Sequence, residues 1–135
     1  MLTQTPILVE IAPGELIDKL VILEIKFERI EDPEKRANVY RELKMLRKCY
    51  ARTFAHSAAV TGVMRLREQL RDLNRELWDI EDELRDCERR LDFGERFVEL
   101  ARSVYRTNDE RAALKRRISQ LYDAPFVEEK SYSTY

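Results

Sequence analysis

The sequence predicts an all-α protein: a four-helix antiparallel bundle with a long, coiled-coil-like third helix. Three observations carry that expectation. Only three glycines and four prolines interrupt 135 residues, which leaves little material for tight β-turns. Charged residues make up 38% of the chain, well above the usual share of about a quarter, beside 44% apolar residues, as in bundles and coiled coils. Finally, Leu66, Leu70, Leu73, Leu77, Ile80, Leu84, Cys87 and Leu91 alternate steps of four and three without a miss, which is a heptad seam. The chain reads as one helical domain, 1–135, with helices near 14–31, 33–54, 63–92 and 95–122 and a tail at 123–135.

Ile7, Val9 and Ile11 alternate with other residues, so PILVEIA is expected as a short strand that pairs with Phe126 and Val127 of the tail. Pro13 suits the first turn of a helix, where a missing N–H costs nothing. The first helix carries one apolar row at Leu16, Leu20, Leu23, Phe27 and Ile30 and another at Ile17, Val21 and Ile25. A helix apolar on two sides is sandwiched between neighbours, so it is predicted to be central. Pro33 starts the second helix, with Val39, Leu43, Leu46, Tyr50 and Phe54 on its apolar side and seven Lys/Arg against two acids elsewhere. AHSAAVTG, uncharged and ending in Gly62, is the linker to the third helix. That helix carries ten acids against seven bases between 63 and 92. An antiparallel hairpin of helices two and three would set opposite charges along its flanks and favour one register. At 1.5 Å per residue the third helix spans about 45 Å and the first about 27 Å, so the third is expected to overhang and expose apolar seam. Phe97, Val98, Leu100, Ala101, Val104 and Tyr105 form the inward side of the fourth helix.

Three blocks of this chain resemble an uncharacterised bacterial family of short proteins, a domain of unknown function: PGELIDKLVILEIKFERI, LWDIEDELR, and LARSVYRTNDERAALKRRI followed by VEEKSY. The similarity runs from about Ile11 to Tyr132. It implies a bacterial origin and a stand-alone domain. No activity is assigned to that family, so the resemblance transfers no catalytic residue.

The chemistry concentrates in VYRTNDERAALKRRI. If the fourth helix continued unbroken, the seam Phe97, Ala101, Val104 would next present Asn108, Arg111 and Lys115 before turning apolar at Ile118. One reading restarts the helix at a capping box, Thr107 with Glu110, leaving both cations at the edge of a new core face. The other keeps the helix continuous and turns the cations inward, where acids must meet them. Candidate acid partners are Asp18, Glu24, Glu128 and Glu129. Unmatched, the row becomes a site for a small anionic ligand walled by Tyr105 and Tyr132. A second constellation, Glu76, Asp79, Glu83 and Asp86 with Asp72, lies on one strip of the third helix. Carboxylates one turn apart can hold magnesium, as in the helices of all-α nucleotide pyrophosphohydrolases. Heptads produce the same spacing unaided, so a solvated acidic flank is the better account and no metal or cofactor is expected.

Near-neutral charge, a net of −1, argues against a general nucleic-acid binder, and no apolar run is long enough to span a bilayer. Cys49 and Cys87 have no metal-ligand spacing and read as reduced thiols of a cytoplasmic protein. Trp78 lies off the heptad seam and wants a second surface. The expectation is therefore a non-catalytic helical interaction protein, a homodimer or the binder of a partner helix, with Leu70, Leu73, Leu77, Trp78 and Leu84 at the interface. The alternative is a small-molecule protein or enzyme built on Asn108, Arg111 and Lys115; a magnesium-dependent pyrophosphohydrolase is the weaker one.

Overall fold

The computed structural model describes residues 5–54 and 60–122, together with 131, 133 and 134. Four helices follow in order: α1 (Pro13–Arg29), α2 (Pro33–Phe54), α3 (Val60–Arg89) and α4 (Glu95–Leu121). They pack as an all-α bundle, with no strand among the described residues. The N-terminal segment predicted as a strand is exposed from Ile7 to Ile11 and pairs with no sheet edge among those residues. Its expected partners Phe126 and Val127 lie outside the described residues, as does His56.

α1 is the centre. Its row Ile17, Val21 and Ile25 is buried with Leu66, Leu70, Leu114 and Ile118 of α3 and α4. Leu20 and Leu23 meet Leu43 of α2, flanked by Phe27, Val39 and Leu46. The two apolar rows thus serve two different neighbours. Ala12 offers no side chain to cap the start of α1, and the Gly14 N–H instead donates to Ser119 Oγ of α4 at 3.1 Å. A donor that helix geometry leaves orphaned is satisfied from another helix. α2 begins conventionally: Asp32 Oδ1 accepts the N–H groups of Glu34 (2.9 Å) and Lys35 (3.0 Å), with Pro33 behind it.

The predicted charge-paired hairpin of α2 and α3 does not form. α2 packs along α1, and the cross-helix ion pairs of α3 go to α1 and α4: Arg29–Asp79 at 2.5 Å, Arg75–Glu28 at 3.1 Å, and Arg96–Glu83. The physical reason is a difference in magnitude. Burying both rows of α1 is worth about 25 cal/mol per Å² of apolar area, whereas an exposed ion pair contributes only about 0–1 kcal/mol. Apolar area decides the order of the layers.

Most of the heptad seam is buried: Leu66, Leu70, Leu77, Ile80 and Cys87 are nearly out of contact with solvent and Leu73 and Leu84 are half-buried, while its last member, Leu91, is exposed. α4 runs unbroken through Thr107, itself buried, so the capping-box restart is not made. At 27 residues α4 nearly matches the 30 of α3, while α1 has only 17. The two long helices therefore project past α1 as an arm, closed by Ile80, Cys87 and Leu100 with Leu84, Phe97 and Val104. The overhang is real, but α4 covers the seam that was expected to lie open. The apolar residues left exposed on the arm are Leu91, Phe93 and Val98.

Gly14 marks the closest approach of α1 to α4. A Cβ there would overlap the carbonyl oxygen of Lys115 and lie 2.7 Å from its carbon. Gly62, on α3, would place a Cβ 3.4 Å from Leu121 Cδ1, an ordinary contact. Gly14→Ala is expected to lower stability by about 3 kcal/mol or more through overpacking against backbone. Gly62→Ala should be neutral or raise it by up to about 1 kcal/mol through helix propensity. Urea unfolding of the two variants checks the contrast.

Candidate functional site

The polar row of α4 meets α1 in antiparallel register. Two acids three apart, Glu15 and Asp18, face two bases four apart, Lys115 and Arg111. Asp18 is the deepest member, its side chain only 3% exposed. Its Oδ2 accepts from Arg111 Nη2 at 2.7 Å, and its Oδ1 accepts from Asn74 Nδ2 of α3 at 2.9 Å. Asn74 also donates to the Leu70 carbonyl at 3.0 Å, and Arg111 Nη1 donates to Asn108 Oδ1 at 2.8 Å. Lys115 Nζ donates to Glu15 Oε2 at 3.2 Å. One carboxylate thus ties three helices together with two charge-assisted or amide hydrogen bonds.

Within this cluster each cation has an acid. A buried carboxylate alone would cost several kcal/mol, and this one is matched in both charge and hydrogen bonding. The inward reading of Asn108, Arg111 and Lys115 therefore holds, with the chain supplying the counter-charges. Asp18 was an expected partner. Glu24 was expected beside this row too, but it sits elsewhere on α1, between Arg67 and Arg71 of α3. Arg67 also lies over the Tyr50 ring, 5.0 Å from its centroid. Glu128, Glu129 and Tyr132 lie outside the described residues. Tyr105 is exposed on α4.

The sequence reading missed Asn74, Glu15, Ser119 and Gly14. Glu15 and Asp18 do carry a signal, since their spacing answers that of Arg111 and Lys115 on an antiparallel helix. Asn74 has a weaker one, lying four residues from Leu70 and so next to the apolar seam.

A cavity of about 250 Å³ opens beside the cluster, lined by Ile22, Ile25 and Lys26 of α1, Asn74, Leu77, Trp78 and Glu81 of α3, and Arg111 of α4. Arg111 Nε is buried with no hydrogen-bond acceptor among the described residues. Trp78 finds its second surface here, against α1, with the Arg29 guanidinium 5.8 Å from the ring centroid.

The acidic strip of α3 is solvated and partly neutralised. Asp79 pairs with Arg29, Glu83 with Arg96, and Asp86 with Arg89 at 2.8 Å, while Glu76 is exposed. The Arg89 hydrogen bond, aided by the charge of Arg90, holds the Asp86 carboxyl below its ordinary range. Among the described residues no three His, Cys, Asp or Glu side chains converge to hold a metal ion. Cys49 and Cys87 are free thiols. No helix of the described residues is long and apolar enough to cross a membrane.

Fold and cluster together define a four-helix protein knotted by a buried polar node. The chain belongs to a family of unknown function, DUF6165, whose model matches residues 7–135. No curated protein and no solved structure matches it.

The node predicts unequal losses. Arg111→Ala strands a buried carboxylate and is expected to cost about 3 kcal/mol or more. Asp18→Ala should cost less, because the Arg111 head, 19% exposed, can turn toward water. Asp18→Leu combined with Arg111→Met should cost well under the sum of the single changes. Chemical unfolding of the set, treated as a double-mutant cycle, measures the coupling.

Proposed function

We propose that this protein works by association, as a non-catalytic assembly or interaction module that engages its partner through the long α3 helix. The observation that carries this reading is the match of Arg111 to Asp18 at 2.7 Å. The charges that would serve a ligand are engaged in holding helices, which leaves surfaces as the means of action. On the side of the α3–α4 pair away from α1 a groove of about 430 Å³ runs over Leu73, Ala113 and Leu114 between polar rims. The projecting arm adds Leu91, Phe93 and Val98 to the exposed apolar surface. A second copy or a partner helix is the occupant this surface fits, in a bacterial cytoplasm where Cys49 and Cys87 stay reduced. Of the α3 residues named from the sequence, Leu70 and Leu77 are buried beside α1, Trp78 packs against that same core and Leu84 lies inside the arm, so only Leu73 reaches the groove. Light scattering across a concentration series is expected to give a mass above that of one chain. Leu73→Asp should lower it while circular dichroism stays helical. A folded, monomeric wild type at every concentration would refute the reading as self-assembly.

A second reading rests on a separate observation, the unpartnered Nε of Arg111 at a cavity that also presents Lys26 and Trp78. A small anion with an apolar edge fits that lining, and Asn108 and Lys115 would support Arg111 from behind. Phosphate and small carboxylates are then expected to raise the melting temperature and to quench Trp78 fluorescence. Lys26→Ala should abolish both effects without disturbing the node. A screen with no saturable response sinks this alternative.

A further inference from the structure

The sequence holds two rows of opposite charge, and the fold keeps them apart. On α2, Arg41, Lys44, Lys48 and Arg52 recur at steps of three and four, on the side opposite the Leu43, Leu46 and Tyr50 that pack against α1. α2 carries seven cations and two acids in a chain of net charge −1, so the rest of the molecule is distinctly acidic. Among the described residues none of the seven is in an ion pair; Arg36 donates to the Phe27 carbonyl, Arg41 to Asn38 and Arg52 to the Cys49 sulfur at 3.6 Å. The acids that answer them are Asp72, Glu76, Asp79 and Glu83. They line one groove between α3 and α4, over buried Ile80 and Leu100, with Arg75 and Arg96 at its rim. Among the described residues Asp72 and Glu76 are exposed and in no ion pair, whereas Asp79 is held by Arg29 and Glu83 by Arg96, so the open part of the row is Asp72 and Glu76. Both rows cover eleven residue steps, about 16 Å of helix at 1.5 Å per residue.

We propose that α2 of one copy docks on the acidic face of α3 of a second copy, Arg41, Lys44, Lys48 and Arg52 meeting Asp72, Glu76, Asp79 and Glu83. This rests on the association reading above and names its partner and contact. α2 packs along α1 and reaches α3 and Tyr122 only through its last turns, at Tyr50 and Phe54; its cationic side points away from all of them, so the two rows do not meet inside one chain. Complementarity left open within a chain can be closed between chains, and the equal length of the rows gives the contact a register. A polyanion such as nucleic acid or an anionic membrane would meet the same α2 row, but it would be repelled by the acidic remainder of the molecule. Exposed ion pairs are individually weak and screened by salt, so the contact is salt-sensitive and reversible. With two-fold symmetry it is made twice per dimer.

Sedimentation velocity on the full-length chain tests this. Wild type is expected to self-associate at low ionic strength, with the dissociation constant rising about tenfold or more in high salt. Lys44→Glu with Lys48→Glu, and separately Asp72→Lys with Glu76→Lys, should each give a folded monomer. Mixed in equal amounts, the two variants should associate again, since each now carries the partner of the other. Variants that associate like wild type would overturn the contact while leaving association itself standing. Monomeric variants that stay apart when mixed would show that the rows do not meet, and would also overturn it. A monomeric wild type that binds anionic vesicles or oligonucleotides through Lys44 and Lys48 would overturn both the contact and the association reading.

Discussion

A carboxylate taken out of water has to be met, and the rest of this fold follows from how Asp18 is met. Its two oxygens face different helices, Arg111 on α4 and Asn74 on α3. Apolar packing can slide or rotate by a residue at modest cost. A buried anion with two directional partners cannot, because a shift leaves both donors and the acceptor unsatisfied. The Asp18 node therefore sets the height and rotation of α1 in the groove of the α3–α4 pair. Gly14 and Ser119 set its closest approach one turn away. Burial of Ile17, Val21 and Ile25 provides the driving force, and the polar node selects one arrangement among those that burial alone would allow.

With α1 fixed, two further features follow. α2 has one apolar neighbour along most of its length and keeps its cationic side in water, with Leu43 and Phe54 its only buried residues. α3 and α4 outrun α1 and must close their outer halves against each other, through Ile80, Cys87 and Leu100. One element thus separates the charges of the molecule and creates its arm. Both surfaces on which the functional reading rests are consequences of where α1 sits.

Much of this was legible in the residues. The seam of α3 and the two apolar rows of α1 follow from 3.6-residue periodicity, which side-chain burial enforces directly. The inward turn of Arg111 was readable as one alternative, because Val104 and Ile118 frame it on the same side of a helix. The capping box at Thr107 misled for a physical reason: Thr and Glu three residues apart offer a start, but a helix already under way gains nothing by stopping. Layer order was not legible. The charges of α2 and α3 match as if the helices were neighbours, and only the apolar area on α1, compared in magnitude with surface ion pairs, reverses that inference. The N-terminal alternation forms no strand among the described residues, since period two becomes a strand only against a pairing edge. Asn74 was hidden because a single amide beside an apolar seam has no pattern of its own.

The arrangement of the helices depends on the guanidinium of Arg111 being held inside the bundle by α1, and side-chain NMR observes that group directly. The Arg111 Nε–H resonance is predicted to exchange slowly with water and to show nuclear Overhauser contacts to Asp18 and its neighbours on α1. A resonance exchanging at the rate of a free arginine, with no contact to α1, would contradict the central role given to this pair.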